Sequence, residues 1–325
     1  MFVKNPLRRV FYSPYFVNQN AILNCYIGVF PWRNTVLAYL WVIKHFWSTR
    51  ERNTHKFKAL FWALYYRQWI SALRQQFRKH NLVYVFSLHP YLLFMCRLKA
   101  YVLKQVSSEF IGERLIGHYW LLDWFFGRKG VEAIHADGLL LGQSYIAGKE
   151  VEVWLQYIHL MRYEGQLSVK LVFDGEILYL AHVHFCDGAM WIGGLQGRPA
   201  QLDASKDFTK QSNGLRPHNF MYFILTLLAE RLQVNAIYAV ASEHHYYQKE
   251  EKTRKKIRFN YNEFWAELGG EPSAIEGWFK MPVFYPRKTL SEIPAKKRSQ
   301  YTQRYQLMDQ IKQDVLGVGL SVKAA

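Results

Sequence analysis

Cysteine is scarce. Cys25, Cys96 and Cys186 are the only three in 325 residues, and no two form a CxxC pair. This excludes a disulfide framework and a zinc knuckle, and it suits a reducing compartment. No GxSxG elbow, HExxH helix, P-loop or GxGxxG fingerprint occurs, so hydrolase and nucleotide-binding readings lose their usual support. Long apolar runs are missing as well. The most apolar stretch, TVLAYLWVIKHFW from Thr35, contains Lys44 and His45 and is shorter than the ~20 residues that span a bilayer. It can lie on a membrane but should not cross one. The first twenty residues are broken by Pro6, Arg8, Arg9 and Pro14, so they do not read as a secretory leader. Internal repeats and low-complexity linkers are absent.

The first 105 residues also lack acids: they hold sixteen Lys or Arg and a single carboxylate, Glu51. The remaining 220 hold 26 basic and 24 acidic residues, so nearly all of the net charge of +17 sits in the amino-terminal third. Such asymmetry argues for an anionic partner: a phospholipid surface, lipopolysaccharide, an acidic protein or nucleic acid. Nucleic acid is the least favoured, since no reader motif is present.

Half of all residues are apolar and 17% are aromatic, enough for at least one full core and for two folding regions. Periodicity predicts amphipathic helices over 34–47 and 54–79, with Leu60, Phe61, Leu64, Trp69, Ile70, Leu73 and Phe77 on one face and basic residues between. The composition suits an interfacial helix, but a stripe alone does not separate membrane contact from core. The stretch 110–126 reads as a loop and short helix in which Glu113, Arg114 and His118 can form a polar network.

Beyond Val131 the pattern turns to strands. VEVWLQYIHL and LSVKLVFD alternate, Asp174-Gly175 is a two-residue hairpin signal, EILYLAHVHF follows, and Asp187-Gly188 introduces MWIGGLQG. A meander of three or four antiparallel strands is expected. Gly193-Gly194 inside the last of them predicts a bulge or the close approach of a backbone or ligand. A helix from Pro217 or His218 and the strand AIYAVAS come next, giving the order β-β-β-α-β. Towards the carboxyl end, a helix closed by Gly269-Gly270, an aromatic strand and a charged terminal helix are expected, with GVGLSVKAA frayed.

That order resembles the Gcn5-related N-acetyltransferase fold, in which a bulged strand leads to a helix N-terminus that grips the coenzyme A pyrophosphate. Gln211, Gly214 and Arg216 fit most of that fold's Q-x-x-G-x-G/A loop, with Arg216 in place of the last small residue. The resemblance implies a cofactor-binding set of Gln211, Gly214, Leu215, Arg216, His218, Asn219, Gly193 and Gly194. A helix start supplies free N–H groups there, and Arg216 a fork for phosphate. The alternative is an ordinary helix start with Pro217 near its first position. Longer strings are similar to the VirK/YbjX family of Gram-negative bacteria: FIGERLIGHYWLL, MWIGGLQGR, GLRPHNFMYFILTLLAERL, ASEHHY and YNEFWAELGG. This resemblance implies a cell-envelope setting, virulence and resistance to cationic peptides, and no particular reaction.

Candidate acid–base groups are His182 and His184, two apart on one strand face, and Glu243, His244, His245 and Tyr246, with Tyr247, after the strand that ends near Ser242. Two histidines without a third ligand do not make a metal site, so no metal is expected. The expected architecture is α+β: a basic aromatic helical region over 1–107 and an acyltransferase-like domain with a mixed, mainly antiparallel sheet over 108–325. The expected protein is cytoplasmic and peripheral on the inner membrane. It would use coenzyme A or acyl carrier protein to acylate a lipid or lipopolysaccharide component, or else be a non-catalytic envelope factor or chaperone.

Overall fold

The computed structural model describes residues 40, 62, 65–98, 101–103, 106–198, 201–249 and 259–317. The helix expected over 34–47, most of the first half of the one expected over 54–79, nearly all of the charged run 249–258 and the tail after 317 lie outside them. The chain forms two compact units, one of residues 1–99 and 106–121, the other of 100–105 and 122–325.

In the first unit, helix α1 (Arg67–Lys79) buries Trp69, Ile70, Leu73 and Phe77, all members of the expected stripe. Phe77 packs 4.6 Å from Phe86 and 6.1 Å from Tyr119, between ring centroids. For these residues the stripe is core. Arg78 and Lys79 end the helix, where its dipole favours cations. A short helix α2 (Val85–Leu88) and a 3₁₀ segment (Pro90–Leu98) follow.

Helix α3 (Ser108–His135) corrects the loop and short helix expected over 110–126. Ser107 Oγ accepts from Phe110 N at 3.1 Å, a serine cap. Burial of Ile111, Leu115, His118 and Tyr119 at helical spacing outweighs the low helix propensity of Gly112 and Gly117. Helical geometry breaks only at Gly127 (φ 65, ψ 172). Of the expected polar network, Arg114 and His118 are buried, and the Arg114 guanidinium lies 4.5 Å from the Phe110 ring centre.

The second unit is built on an eight-stranded sheet in the order β1-β2-β3-β4-β5-β6-β8-β7. The strands are β1 (Leu139–Ile146), β2 (Lys149–Gln156), β3 (Leu167–Phe173), β4 (Glu176–Cys186), β5 (Ala189–Gly197), β6 (Ala236–Val240), β7 (Glu271–Pro272) and β8 (Trp278–Met281). The meander thus has five strands rather than three or four. Asp174-Gly175 and Asp187-Gly188 have positive φ at both positions, as a type I′ hairpin requires. Ala147-Gly148 does the same between β1 and β2, and alanine there carries no turn signal in the sequence.

All pairings are antiparallel except β5 with β6. That parallel pair needs a crossover, supplied by α4 (Leu202–Gln211) and α5 (Pro217–Arg231). α5 is buried on every side from Phe220 to Ala229, against β4 and β5. Helix α6 (Tyr261–Glu267) contacts β8, and the terminal helix α7 (Arg298–Gly317) packs on β1 and α5. The result is α+β with a mixed, mostly antiparallel sheet.

Candidate functional site

The register of β4 against β5 slips at one point. His182 faces Gly194 and Val183 faces Ile192, which leaves Gly193 as an extra residue, a β-bulge. The parallel pairing with β6 also ends at Ile192, opposite Ala239. Over the bulge rides the turn that follows a 3₁₀ segment (His159–Met161), and it brings Glu164 onto the sheet.

Three glycines permit this approach. A Cβ on Gly193 would overlap the Glu164 carbonyl oxygen, one on Gly194 would overlap Glu164 Oε2, and one on Gly165 would fall 2.6 Å from Val183 N. Close approach is therefore the reason for these glycines, as the sequence suggested for Gly193 and Gly194; none of the three has a positive φ.

The Glu164 carboxylate is buried, and Oε2 lies 3.2 Å from His245 Nε2. Tyr247 N–H donates to His245 Nδ1 at 3.3 Å, which places the ring proton on Nε2, towards the carboxylate. That contact is within ion-pair reach, although the N–H is not aligned for a hydrogen bond. His182 lies in the same cluster and shares a 2.9 Å hydrogen bond with Ser168 Oγ through Nδ1. Burial holds its pKa below the ordinary histidine range and His245 pushes the same way, against the pull of Glu164 and Gln196. Tyr247 is pushed up to about 12 by burial and then by Glu164, with which its hydroxyl bonds.

Tyr261 closes the cluster. Its ring stacks on His245 at 5.2 Å, and burial, then Glu164, raise its pKa. Its hydroxyl accepts from Leu195 N (3.1 Å) and donates to Leu195 O (3.0 Å), on the stretch of β5 beyond its pairing with β6. The placement of Tyr261 is set by the start of α6. Asn260 caps it through Glu263 N, Ser242 Oγ accepts from Tyr261 N, and Asn262 Oδ1 accepts from Ser242 N.

The segment 101–103 lies against the same cluster. Tyr101 Oη shares a 2.6 Å hydrogen bond with His184 Nδ1, Val102 N donates to Tyr163 O at 2.7 Å, and Leu103 bridges to His245. Val102 holds φ 62, a costly conformation for a β-branched residue.

Of the sequence candidates, His182, His245, Gly193 and Gly194 are brought together. His184 is buried with Tyr101. Glu243 is exposed and bonded to Asn262, His244 packs on Gly277, and Tyr246 stacks on Tyr163 at 5.1 Å. The centre of the cluster, Glu164, was not among the candidates. Its only signal is an acid before glycine in the aromatic turn MRYEGQ.

The second candidate locus is the start of α5, where the His218 ring lies 5.2 Å from Phe264 and 6.4 Å from Phe259, which in turn lies 5.1 Å from Tyr261. The stretch before α5 holds α4, Gly214 has φ 77, and Arg216 is the exposed N-cap residue before Pro217. The first helical N–H groups there have no side-chain cap. Gln211 donates to Asp207 and Leu215 is buried. His218 is pushed down to about 4, by burial first and by Arg216 second. Asn219 keeps a buried amide oxygen without a hydrogen bond. The space beside Gly214 is filled by α7: Gln300 Nε2 is 2.9 Å and Arg304 Nη2 3.0 Å from where a Cβ would stand, and Arg304 donates twice to Asn213 O.

Fold and cluster define an α+β protein with a buried carboxylate–imidazole–phenol network over a bulged strand. The chain belongs to the VirK/YbjX family: the profile described as protein of unknown function (DUF535) matches residues 48–316. An uncharacterised protein of Escherichia coli K12, YbjX, is 32% identical over 227 residues, 66% of this chain and 68% of its own length. An uncharacterised protein of Haemophilus influenzae is 29% identical over 190 residues, 54% of this chain and 62% of its own. No solved structure matches.

Proposed function

We propose that the protein works at the Gram-negative envelope, peripheral to the inner membrane, and moves an acyl group from coenzyme A or acyl carrier protein to a lipid or lipopolysaccharide acceptor. The observation that carries the reading is the parting of β5 from β6 at the bulge. Past Ile192 the β5 edge offers the N–H and C=O of Leu195 to a phenol rather than to a strand, beside a buried Glu164. An extended amide-bearing arm makes the same pair of bonds that Tyr261 makes.

In the transfer, an acceptor hydroxyl or amine attacks the thioester carbonyl, the carbon–sulfur bond breaks, and the acceptor proton passes to the Glu164–His245 pair. Tyr247, whose hydroxyl bonds to Glu164, hands its proton to the departing thiolate as the Glu164–His245 pair returns the acceptor's proton to the phenol, so both groups end the cycle as they began. The uncapped start of α5 with Arg216 suits the pyrophosphate of the donor. Among the described residues no helix is long and apolar enough to cross a membrane, and the basic amino-terminal third suits anionic headgroups or the acidic carrier protein.

A second reading, a non-catalytic envelope factor or chaperone, is favoured by two contacts. His245 Nδ1 already accepts from Tyr247 N and its Nε2 faces the Glu164 carboxylate, and α7 fills the space at Gly214. Calorimetric titration of the full chain with coenzyme A, an acyl-coenzyme A and acyl carrier protein separates the two. Binding weakened by Arg216→Ala supports transfer, and no heat from any of the three leaves the non-catalytic factor standing.

A further inference from the structure

The second unit holds three outward-facing apolar side chains within eight residues: Val283 (41% exposed), Phe284 (68%) and Leu290 (63%). Their exposure is not that of a slack loop. Tyr222 Oη donates to Pro282 O at 2.6 Å, just before them, and Tyr285, just after Phe284, packs on Phe223 at 5.9 Å. Further along, Arg287 forms a two-pronged ion pair with Asp309 of α7, Lys288 N donates to Tyr305 Oη, and Ile293 is buried. The backbone on both sides of Phe284 is thus tied to the fold while the ring is held in solvent.

The charge around them is mainly basic. From 282 to 298 the chain carries Arg287, Lys288, Lys296, Lys297 and Arg298 against one acid, Glu292. That acid is exposed but bonded within its own turn, where it accepts from Thr289 N and Thr289 Oγ1, and these bonds lower its pKa. Arg287 is neutralised by Asp309, whereas exposed Lys288, Lys296 and Lys297 have no ion pair among the described residues.

The geometry points to this segment as a docking surface for an anionic lipid bilayer, with Phe284 and Leu290 entering the headgroup boundary and the lysines meeting lipid phosphates. An acidic protein would use the charges but does not call for aromatic and leucine side chains held outward among them. A lipid interface uses both, because apolar burial and headgroup attraction add. This deepens the peripheral-membrane part of the reading above, is independent of acyl transfer, and places a contact outside the basic amino-terminal third.

Hydrogen exchange by mass spectrometry on the full chain tests it, without vesicles, with phosphatidylglycerol vesicles, with phosphatidylcholine vesicles and with polyglutamate. Protection of residues 282–298 by the anionic vesicles alone is expected. Phe284→Ser with Leu290→Ser should weaken partitioning about tenfold or more, and each of Lys288→Gln, Lys296→Gln and Lys297→Gln about fivefold at low salt, with unchanged melting temperatures. Vesicle binding that leaves 282–298 unprotected overturns this surface while sparing the membrane reading; no vesicle binding overturns both. Protection by polyglutamate but not by vesicles assigns the surface to an acidic protein. Protection that rises with protein concentration in the absence of vesicles assigns it to a second copy. Either result overturns the lipid proposal.

Discussion

An alanine at position 193 or 194 tests whether the bulge exists to seat Glu164. Glycine in a strand interior is normally a weakness, and its replacement where φ permits stabilises by about 0.4–1 kcal/mol. Here the sign should reverse. A Cβ on Gly194 meets the end of a side chain, Glu164 Oε2, with His245 Nε2 3.2 Å away. The carboxylate can turn, so the cost is that of local overpacking, about 1–3 kcal/mol.

A Cβ on Gly193 meets a backbone carbonyl, that of Glu164, and the side chain of Val102. No rotamer relieves it. The turn must lift, which strains the bond from Val102 N to Tyr163 O and draws Glu164 away from His245. A buried donor left unmatched adds about 1–3 kcal/mol, so Gly193→Ala should cost roughly 3 kcal/mol or more. At about 2–4 °C per kcal/mol for a unit of this size, melting should fall by about 6–12 °C, with a smaller fall for Gly194→Ala. Thermal unfolding followed by near-ultraviolet circular dichroism measures both. A Gly193→Ala protein as stable as wild type would show that the turn does not bear on the bulge, and the site built on it would fail.

Three further outcomes follow from the same contacts. Tyr261→Phe loses both bonds to Leu195 and should lower stability by about 1–3 kcal/mol; if a ligand arm uses that strand edge, the same change should strengthen coenzyme A binding, which calorimetry reads. Arg216→Ala should leave melting unchanged, because the acids that could hold it, Glu230 and Asp207, are taken by Lys312 and Lys149; a clear drop would assign Arg216 a structural role. Acid should destabilise the fold between about pH 6.5 and 4. His135, pushed down to about 4 with both ring nitrogens shielded, favours the neutral form, so its stabilisation is full above the unfolded pKa and is lost as pH falls towards the folded one. The loss is at most roughly 3 kcal/mol, and His135→Phe should flatten the urea-midpoint profile over that range; an unchanged slope would acquit His135.

Local chemistry decided a good deal on its own. Asp-Gly pairs tolerate the positive φ that a tight hairpin turn requires and so marked two hairpins, and a Gly-Gly pair inside a strand marked the bulge. Pro217 marked the start of α5, and the apolar spacing of Trp69, Ile70, Leu73 and Phe77 marked a buried helical face. Each of these rests on the conformational range or spacing of residues close in sequence. Local reading fell short twice: the stretch 110–126, expected as a loop and short helix, lies within the long α3, and an Ala-Gly turn carried no turn signature.

What joins Glu164, His182, His245 and Tyr261 is a different matter. They come from a turn, a strand, a loop and a helix spread over nearly a hundred residues, and a buried carboxylate gives no periodic signal that a sequence displays. Only the register slip between β4 and β5 and the lie of α6 across the end of β6 bring them within reach of one another. Likewise the sequence offered Gly214 as open backbone for a ligand, and the return of α7 put Gln300 and Arg304 there. Contacts between distant segments, whose energies depend on how the whole sheet is ordered, set the chemistry of this protein.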